Sequence, residues 1–142
     1  MSELIRLAER CEKADTPSLD LDKSILRALG FTWRGMNYWS ADNETAWKGL
    51  ATFSYSIDAA ITLIPDGFCL ASLGFCEGDE YQAGWHCELV SKPEHYVFVG
   101  LDDPMNFHRE DPRRIKTPAL AVCAAALRAR AGAQSPADRE SK

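Results

Sequence analysis

The chain has 142 residues and a mass of 15.8 kDa, and 46% of its residues are hydrophobic, which suits one ordinary domain with a buried core. Its 16 lysines and arginines against 21 aspartates and glutamates give a net charge of -5. This acidic balance argues against affinity for nucleic acid or for an anionic membrane surface. No apolar stretch reaches the roughly 20 residues that span a bilayer, and the N-terminus lacks a secretion-signal pattern, so we expect a cytoplasmic protein.

Two helices are predicted in the N-terminal segment. The first is indicated by apolar residues at helical spacing, namely Leu4, Leu7, Ala8 and Cys11. The second begins near Ser18 to Asp20, where a short polar side chain can cap free amide groups. Its apolar face carries Leu21, Ile25, Ala28 and Leu29, and Gly30 is a natural left-handed stop.

Residues 31 to 55 hold seven of the 14 aromatic residues of the chain, without a sustained period. The pattern predicts strand fragments around a turn, followed by a long loop. The seven are Phe31, Trp33, Tyr38, Trp39, Trp47, Phe53 and Tyr55.

A short helix and three strands are predicted next. Ser56 can cap the helix, which ends at the turn Pro65-Asp66-Gly67. The strands cover residues 68–75, 81–90 and 95–101, and the first alternates apolar residues on both of its faces. Because both connections between the strands are short, neighbouring strands should be antiparallel.

A charged loop and a long helix are predicted in the last third of the sequence. The loop runs from Asp102 to Lys116, and Thr117-Pro118 then opens the helix with a cap and a favourable first position. Its buried stripe is predicted to be Leu120, Cys123, Ala124 and Leu127. Residues 132–142 are polar and are predicted to be a disordered tail, which leaves residues 1–131 as a single domain. The predicted fold is α+β, an antiparallel sheet of three or more strands sandwiched by α-helices.

Four segments carry a family resemblance: Leu7 to Glu12, Leu19 to Ile25, Tyr55 to Gly67 and Thr117 to Ala129. They resemble small phage and prophage proteins of the type called the phage ABA sandwich domain. The shared features are helix caps, apolar stripes and the Pro-Asp-Gly turn, in roughly the helical half of the chain. The resemblance implies helices flanking an antiparallel sheet, and it implies no catalytic or ligand-binding residue.

The cysteines indicate neither disulfides nor a metal site. Five widely spaced cysteines in a chain without an export signal predict free thiols. The nearest approach to a ligand set is Cys76 with His86 and Cys87, which lacks the paired spacing of zinc ligands. We therefore predict no metal and no cofactor, and inert buried thiols at Cys11 and Cys123.

Catalytic motifs are absent from the sequence, which has neither a phosphate-binding glycine loop nor a Gly-x-Ser-x-Gly nucleophile pattern. The best acid/base candidates are His86 and Glu88, which share a strand face near His95 if the hairpin brings the strands together. A polar pair on a sheet surface is the favoured interpretation, so we predict a protein that is not an enzyme.

Two further clusters are candidate binding sites. The aromatic segment can plug the core, anchor a protein interface or stack a planar ligand, and its interface candidates are Trp33, Tyr38, Trp39 and Trp47. Arg113 and Arg114, beside the helix start at Thr117, would make an anion site. The leading hypothesis is a phage-type accessory protein that binds a host protein through residues 31–55. The alternative is a binder of an anionic or planar metabolite, and self-association into homo-oligomers stays open.

Overall fold

The computed structural model describes residues 2–34, 37–40, 52–76, 84–91, 95–100 and 115–134. Of these, residues 33, 34, 37–40, 76, 133 and 134 are described by their backbone alone. Within this part of the chain, four α-helices and a three-stranded antiparallel sheet packed against the last helix make an α+β fold. The α+β prediction is confirmed. Trp47, Arg113, Arg114 and residues 135–142 lie outside the described residues.

The first two helices lie where the sequence predicts them. Helix α1 spans Glu3–Lys13, and the Ser2 hydroxyl accepts a hydrogen bond from the Ile5 amide at 3.2 Å. Helix α2 spans Leu19–Ala28, and the Ser18 hydroxyl accepts from the Leu21 amide at 3.2 Å. Each hydroxyl satisfies an amide that has no partner within its own helix. Gly30 follows α2 with a φ of 92°, the left-handed conformation that glycine adopts without strain.

A small hairpin follows α2. Strand β1 spans Phe31–Arg34 and strand β2 spans Asn37–Ser40, and the two pair antiparallel. The expected strand fragments are confirmed, whereas residues 35–36 between them and residues 41–51 of the predicted long loop lie outside the described residues. Phe31 is partly buried and packs against the core, which attaches the start of the hairpin to the helices.

Helix α3, Ile57–Ile61, is short and is capped by Ser56, whose hydroxyl accepts from the Ala59 amide at 3.3 Å. The chain then turns at Pro65-Asp66-Gly67, where Gly67 has a φ of 93° and the Phe68 amide donates to the Pro65 carbonyl at 3.1 Å. This predicted turn is confirmed, and it sends the chain directly into the sheet.

The sheet consists of β3 (Phe68–Cys76), β4 (Gly84–Ser91) and β5 (His95–Val99), in the spatial order β3-β4-β5. All pairs are antiparallel, as predicted, and the β3 register shifts between Leu70 and Ser72. Most of β3 is exposed, so the expectation that it is covered on both faces is wrong. The reason is its position: β3 lies at one edge of the described sheet, whereas Cys87 and Leu89 on the central strand are buried.

Helix α4, Pro118–Gln134, is the centre of the core. Every residue from Leu120 to Leu127 is fully buried, so the predicted apolar stripe is wrong in extent. The helix is enclosed all round because the sheet packs on one side and α1 and α3 pack on others. Neighbouring elements can approach α4 closely on several sides because many of its buried side chains are small. These include Ala121, Ala124, Ala125 and Ala126. The helix also continues three residues into the segment predicted to be a tail.

The second helical layer of the predicted sandwich is not found among the described helices. Helix α4 covers one face of the sheet, and α1 and α3 lie against α4 rather than against the strands. We call the opposite face, formed by alternate residues of β3, β4 and β5, the outer face. It leaves the side chains of Tyr96 and Phe98 exposed.

Candidate functional site

The outer face gathers polar and aromatic side chains into adjacent rows. Residues that oppose each other in an antiparallel register project from the same face. Glu88 lies between Ser72 and Phe98, and Val90 lies between Cys69 and Tyr96. Tyr96 is 57% exposed and Phe98 is 54% exposed. Two large aromatic side chains are therefore held on the same face of one strand, two residues apart, with more than half of each exposed to solvent.

His86 and Glu88 share this face, as predicted from their spacing. Both are half-buried, and the imidazole of His86 lies across Gly74. A Cβ atom at position 74 would lie only 2.9 Å from His86 Nε2, which is too close for a normal contact. The imidazole can therefore occupy this position because residue 74 is a glycine. The pair is thus part of a mixed polar and aromatic surface.

The structure does not place His95 near the acid/base candidates His86 and Glu88. His95 opposes Ser91, five residues along β4 from His86 and on the alternate face. Five strand residues correspond to about 17 Å. The expectation that the hairpin places His95 near His86 is wrong, because the register sets His95 opposite the last residue of β4 whereas His86 lies near the first.

The neighbouring thiol is also unsuited to nucleophilic chemistry. Cys87 is buried on the face that packs against α4, opposite to His86. Burial, and then the charge of Glu88, raise the pKa of the Cys87 thiol to about 12. It is therefore protonated at neutral pH, and a protonated thiol is a poor nucleophile.

Two more thiols lie deep in the core. Cys11 and Cys123 are both buried, as predicted, and Cys123 Sγ donates to the Phe53 carbonyl at 3.2 Å. Burial, and then the neighbouring Cys11 and Asp22, raise the pKa of Cys123. Among the described residues, no group of three histidine, cysteine or acidic side chains could hold a metal ion.

The predicted aromatic interface falls on the hairpin. Trp33 opposes Tyr38 and Trp39 opposes Thr32 in the register of β1 and β2. The backbone thus brings Trp33 and Tyr38 to adjacent positions on one face of the hairpin and places Trp39 on the other face.

Of the predicted anion site, Thr117 is described, and it caps α4 by accepting a hydrogen bond from the Leu120 amide at 3.1 Å. It lines a cleft of about 460 Å³ together with the start of α3 and the loop before it. Tyr55 stands in this cleft with 54% of its side chain exposed. The cleft is of the size that small ligands occupy.

A buried polar network fixes the loop beside this cleft. Ser54 is fully buried, and its hydroxyl accepts from the Ser18 amide at 2.9 Å and donates to the Ser18 carbonyl at 3.2 Å. The Ser54 amide donates to Asp22 Oδ1 at 2.9 Å. Three hydrogen bonds therefore attach the loop to the start of α2, an attachment that the sequence pattern did not indicate.

The other carboxylate oxygen of Asp22 has no hydrogen-bond partner within the described part of the chain. Asp22 is only 1% exposed, and this burial raises its pKa although the hydrogen bonds from Ser54 act in the opposite direction. An unpaired carboxylate oxygen in the interior is costly. Asp22 is therefore a source of pH-dependent stability.

The chain matches no protein-family model, no curated protein and no solved structure. None of the described helices is long and apolar enough to cross a membrane. The most distinctive surface of the described residues is the outer face, with its exposed aromatic side chains. Neither Tyr96 nor Phe98 was among the predicted site residues, because the alternation along β5 does not indicate which face of the sheet is covered.

Proposed function

We propose that this protein is a non-enzymatic binding module, an accessory protein of the phage or prophage type that binds a host protein in the cytoplasm. The observation that carries this proposal is the exposed pair Tyr96 and Phe98 on the uncovered outer face. Aromatic anchors surrounded by polar groups are the residues that carry most of the energy in protein interfaces. The resemblance of the helical segments to phage proteins supports the class of protein.

The aromatic pair can supply a substantial part of a binding free energy. An aromatic side chain buries about 150–250 Å² in a core, so covering the exposed half of one ring is worth about 2–3 kcal/mol at roughly 25 cal/mol per Å². Glu88 and His86 beside the rings supply polar contacts that orient a partner. A partner packed there would also supply the second outer layer of the predicted sandwich.

The hairpin β1–β2 extends this proposal. Its interface candidates Trp33, Tyr38 and Trp39 occupy eight residues of backbone that the fold holds as two paired strands. A host protein that contacts both surfaces would use two separate aromatic anchors.

The test compares binding by the wild type with binding by the double variant Tyr96→Ser, Phe98→Ser. A host protein captured from lysate is purified, and its affinity for each form is measured by calorimetry. The matched control is Leu19→Ser, which removes an apolar side chain that is 55% exposed on α2. We expect the double variant to lose at least about tenfold in affinity while the control changes by less than about twofold.

A folded double variant that binds the purified host protein as tightly as the wild type would refute the use of the outer face. The variant Trp39→Ala separates the two surfaces. A loss confined to Trp39→Ala would assign binding to the hairpin instead.

The cleft at Thr117 favours a second candidate function, the binding of a planar or anionic metabolite. Its exposed Tyr55 ring offers a surface on which a flat molecule can stack. A thermal-unfolding screen against nucleotides and aromatic carboxylates tests this function, because a ligand at 100 times its Kd stabilises a protein by about 2.7 kcal/mol. Stabilisation that is lost in Tyr55→Ala would support it, and the absence of any shift would exclude the compounds tested.

A further inference from the structure

A groove between α1 and α2 concentrates positive charge on this acidic protein. It has a volume of about 410 Å³, and Leu21 forms part of its apolar floor. Arg6, Arg10 and Lys13 line it from α1, and all three are exposed. Glu9 is the single acidic residue among those that line the groove. The lining therefore carries a net excess of two positive charges in a chain whose net charge is -5.

The three cations line up because of helical geometry. Leu7 and Cys11 turn one side of α1 into the core. Arg6, Arg10 and Lys13 follow each other four and three residues apart, which keeps them on one side of the helix. Their Cα atoms are separated by about 6 Å and about 4.5 Å along the helix axis.

Internal pairing does not account for these cations. Within the described residues, none of the three makes an ion pair or a side-chain hydrogen bond, in contrast to Arg128, which holds Glu12 at 2.7 Å. Arg10 and Lys13 lie in the last turn of α1, where positive charge suits the helix dipole. Arg6 lies outside that turn, so the dipole does not account for the whole row.

We propose that this groove binds an extended, carboxylate-rich peptide segment of a partner protein. In an extended peptide, alternate residues project from the same side about 6.6–6.8 Å apart. Acidic side chains at alternate positions therefore match the spacing between Arg6 and Arg10.

Single-stranded nucleic acid is the competing polyanion, and the groove suits it less well. Proteins that bind single strands stack the bases on aromatic side chains. The residues that line the groove, all of them described, include no aromatic ring. The net charge of -5 also repels a long polyanion such as nucleic acid more strongly than a short acidic peptide.

The experiment measures the binding of a fluorescent peptide with alternating glutamate and alanine residues by fluorescence anisotropy at low salt. A peptide with glutamine in place of each glutamate is the charge control, and a labelled thymidine oligonucleotide tests the competing class. The variants are Arg10→Glu and Arg6→Glu. Arg27→Glu is the matched control, since Arg27 is an exposed cation on α2 that does not line the groove. Circular dichroism establishes that each variant is folded.

We expect each groove variant to weaken binding of the acidic peptide by about tenfold or more, and the control variant to change it by less than about twofold. Binding should also weaken as salt rises, because the Debye length falls to about 8 Å at physiological ionic strength. The proposal is overturned if the glutamine peptide binds as well as the glutamate peptide, if Arg27→Glu weakens binding as much as Arg10→Glu, or if only the oligonucleotide binds. This site is independent of the outer face, so Tyr96→Ser should leave peptide binding unchanged.

Discussion

The ion pair between Glu12 and Arg128 provides the sharpest test of how the core is held together. Arg128 Nε donates to Glu12 Oε2 at 2.7 Å, and Arg128 Nη2 donates to Glu12 Oε1 at 2.8 Å. The pair joins α1 to α4, with Glu12 only 1% exposed and the arginine side chain 23% exposed. Such two-point pairing is among the stronger polar interactions in proteins. The contact with Glu12 is the first cause of the raised pKa of Arg128.

The substitution Arg128→Leu should destabilise the protein strongly. It removes both charge-assisted hydrogen bonds that join α4 to the buried Glu12 carboxylate. Breaking a buried pair in this way costs about 3–5 kcal/mol. For a chain of this size, that corresponds to a fall in the melting temperature of about 10–20 °C.

The double variant Glu12→Leu, Arg128→Leu should recover most of this loss. Replacing a whole buried ion pair by apolar side chains is often neutral or stabilising, so we expect it to lie within about 1 kcal/mol of the wild type. Arg27→Leu is the control and should change stability by less than about 0.5 kcal/mol, because Arg27 is exposed.

Urea unfolding followed by circular dichroism at neutral pH measures the free energies of unfolding, with m-values compared to detect changes in the unfolded state. A cost below about 1 kcal/mol for Arg128→Leu would contradict this prediction. A double variant as unstable as the single variant would also contradict it, since the penalty would then come from lost packing rather than from the broken ion pair.

Two other predictions concern buried titratable groups. Because the folded-state pKa of Asp22 is raised, the charged form is destabilising, and stability falls as pH rises from about 4 through that raised pKa. Asp22→Asn removes this penalty. The free energy of unfolding of the variant, measured by urea titration, should therefore increase relative to that of the wild type between pH 4 and neutral pH. A difference between the two proteins that does not change with pH would contradict this prediction. In the folded protein, iodoacetamide should modify the exposed Cys69 before Cys87 and Cys123, whose pKa values are raised by burial, as peptide mass mapping would show. Equal rates for Cys69 and Cys87 would refute the placement of the Cys87 thiol in the core.

The local signals in the sequence predicted helix starts well. Ser18, Ser56 and Thr117 each cap the helix that the pattern assigned to them, because an N-cap depends on one side chain and an amide three residues away. The turn at Gly67 and the stop at Gly30 followed from glycine's conformational freedom in the same local way.

Features that depend on distant contacts were not predictable in this way. The stripe expected on α4 became a helix buried all round, because burial depends on how many elements pack against it. The attachment of Ser54 to Ser18 and Asp22 joins residues more than 30 positions apart, and no periodicity indicates it. The exposure of Tyr96 and Phe98 likewise depends on which face of the sheet α4 covers.

The position of α4 separates the core of this molecule from the proposed binding surface. Eight consecutive buried residues, Leu120 to Leu127, contact the sheet on one side and the other helices elsewhere, so the core is complete without the outer face. Tyr96 and Phe98 contribute little to that core because more than half of each side chain is in solvent. Because the covered part of each ring still contributes, a substitution at either position should cost about 1–2 kcal/mol and leave the protein folded. Loss of partner binding in a variant that remains folded would then identify these rings as interface residues.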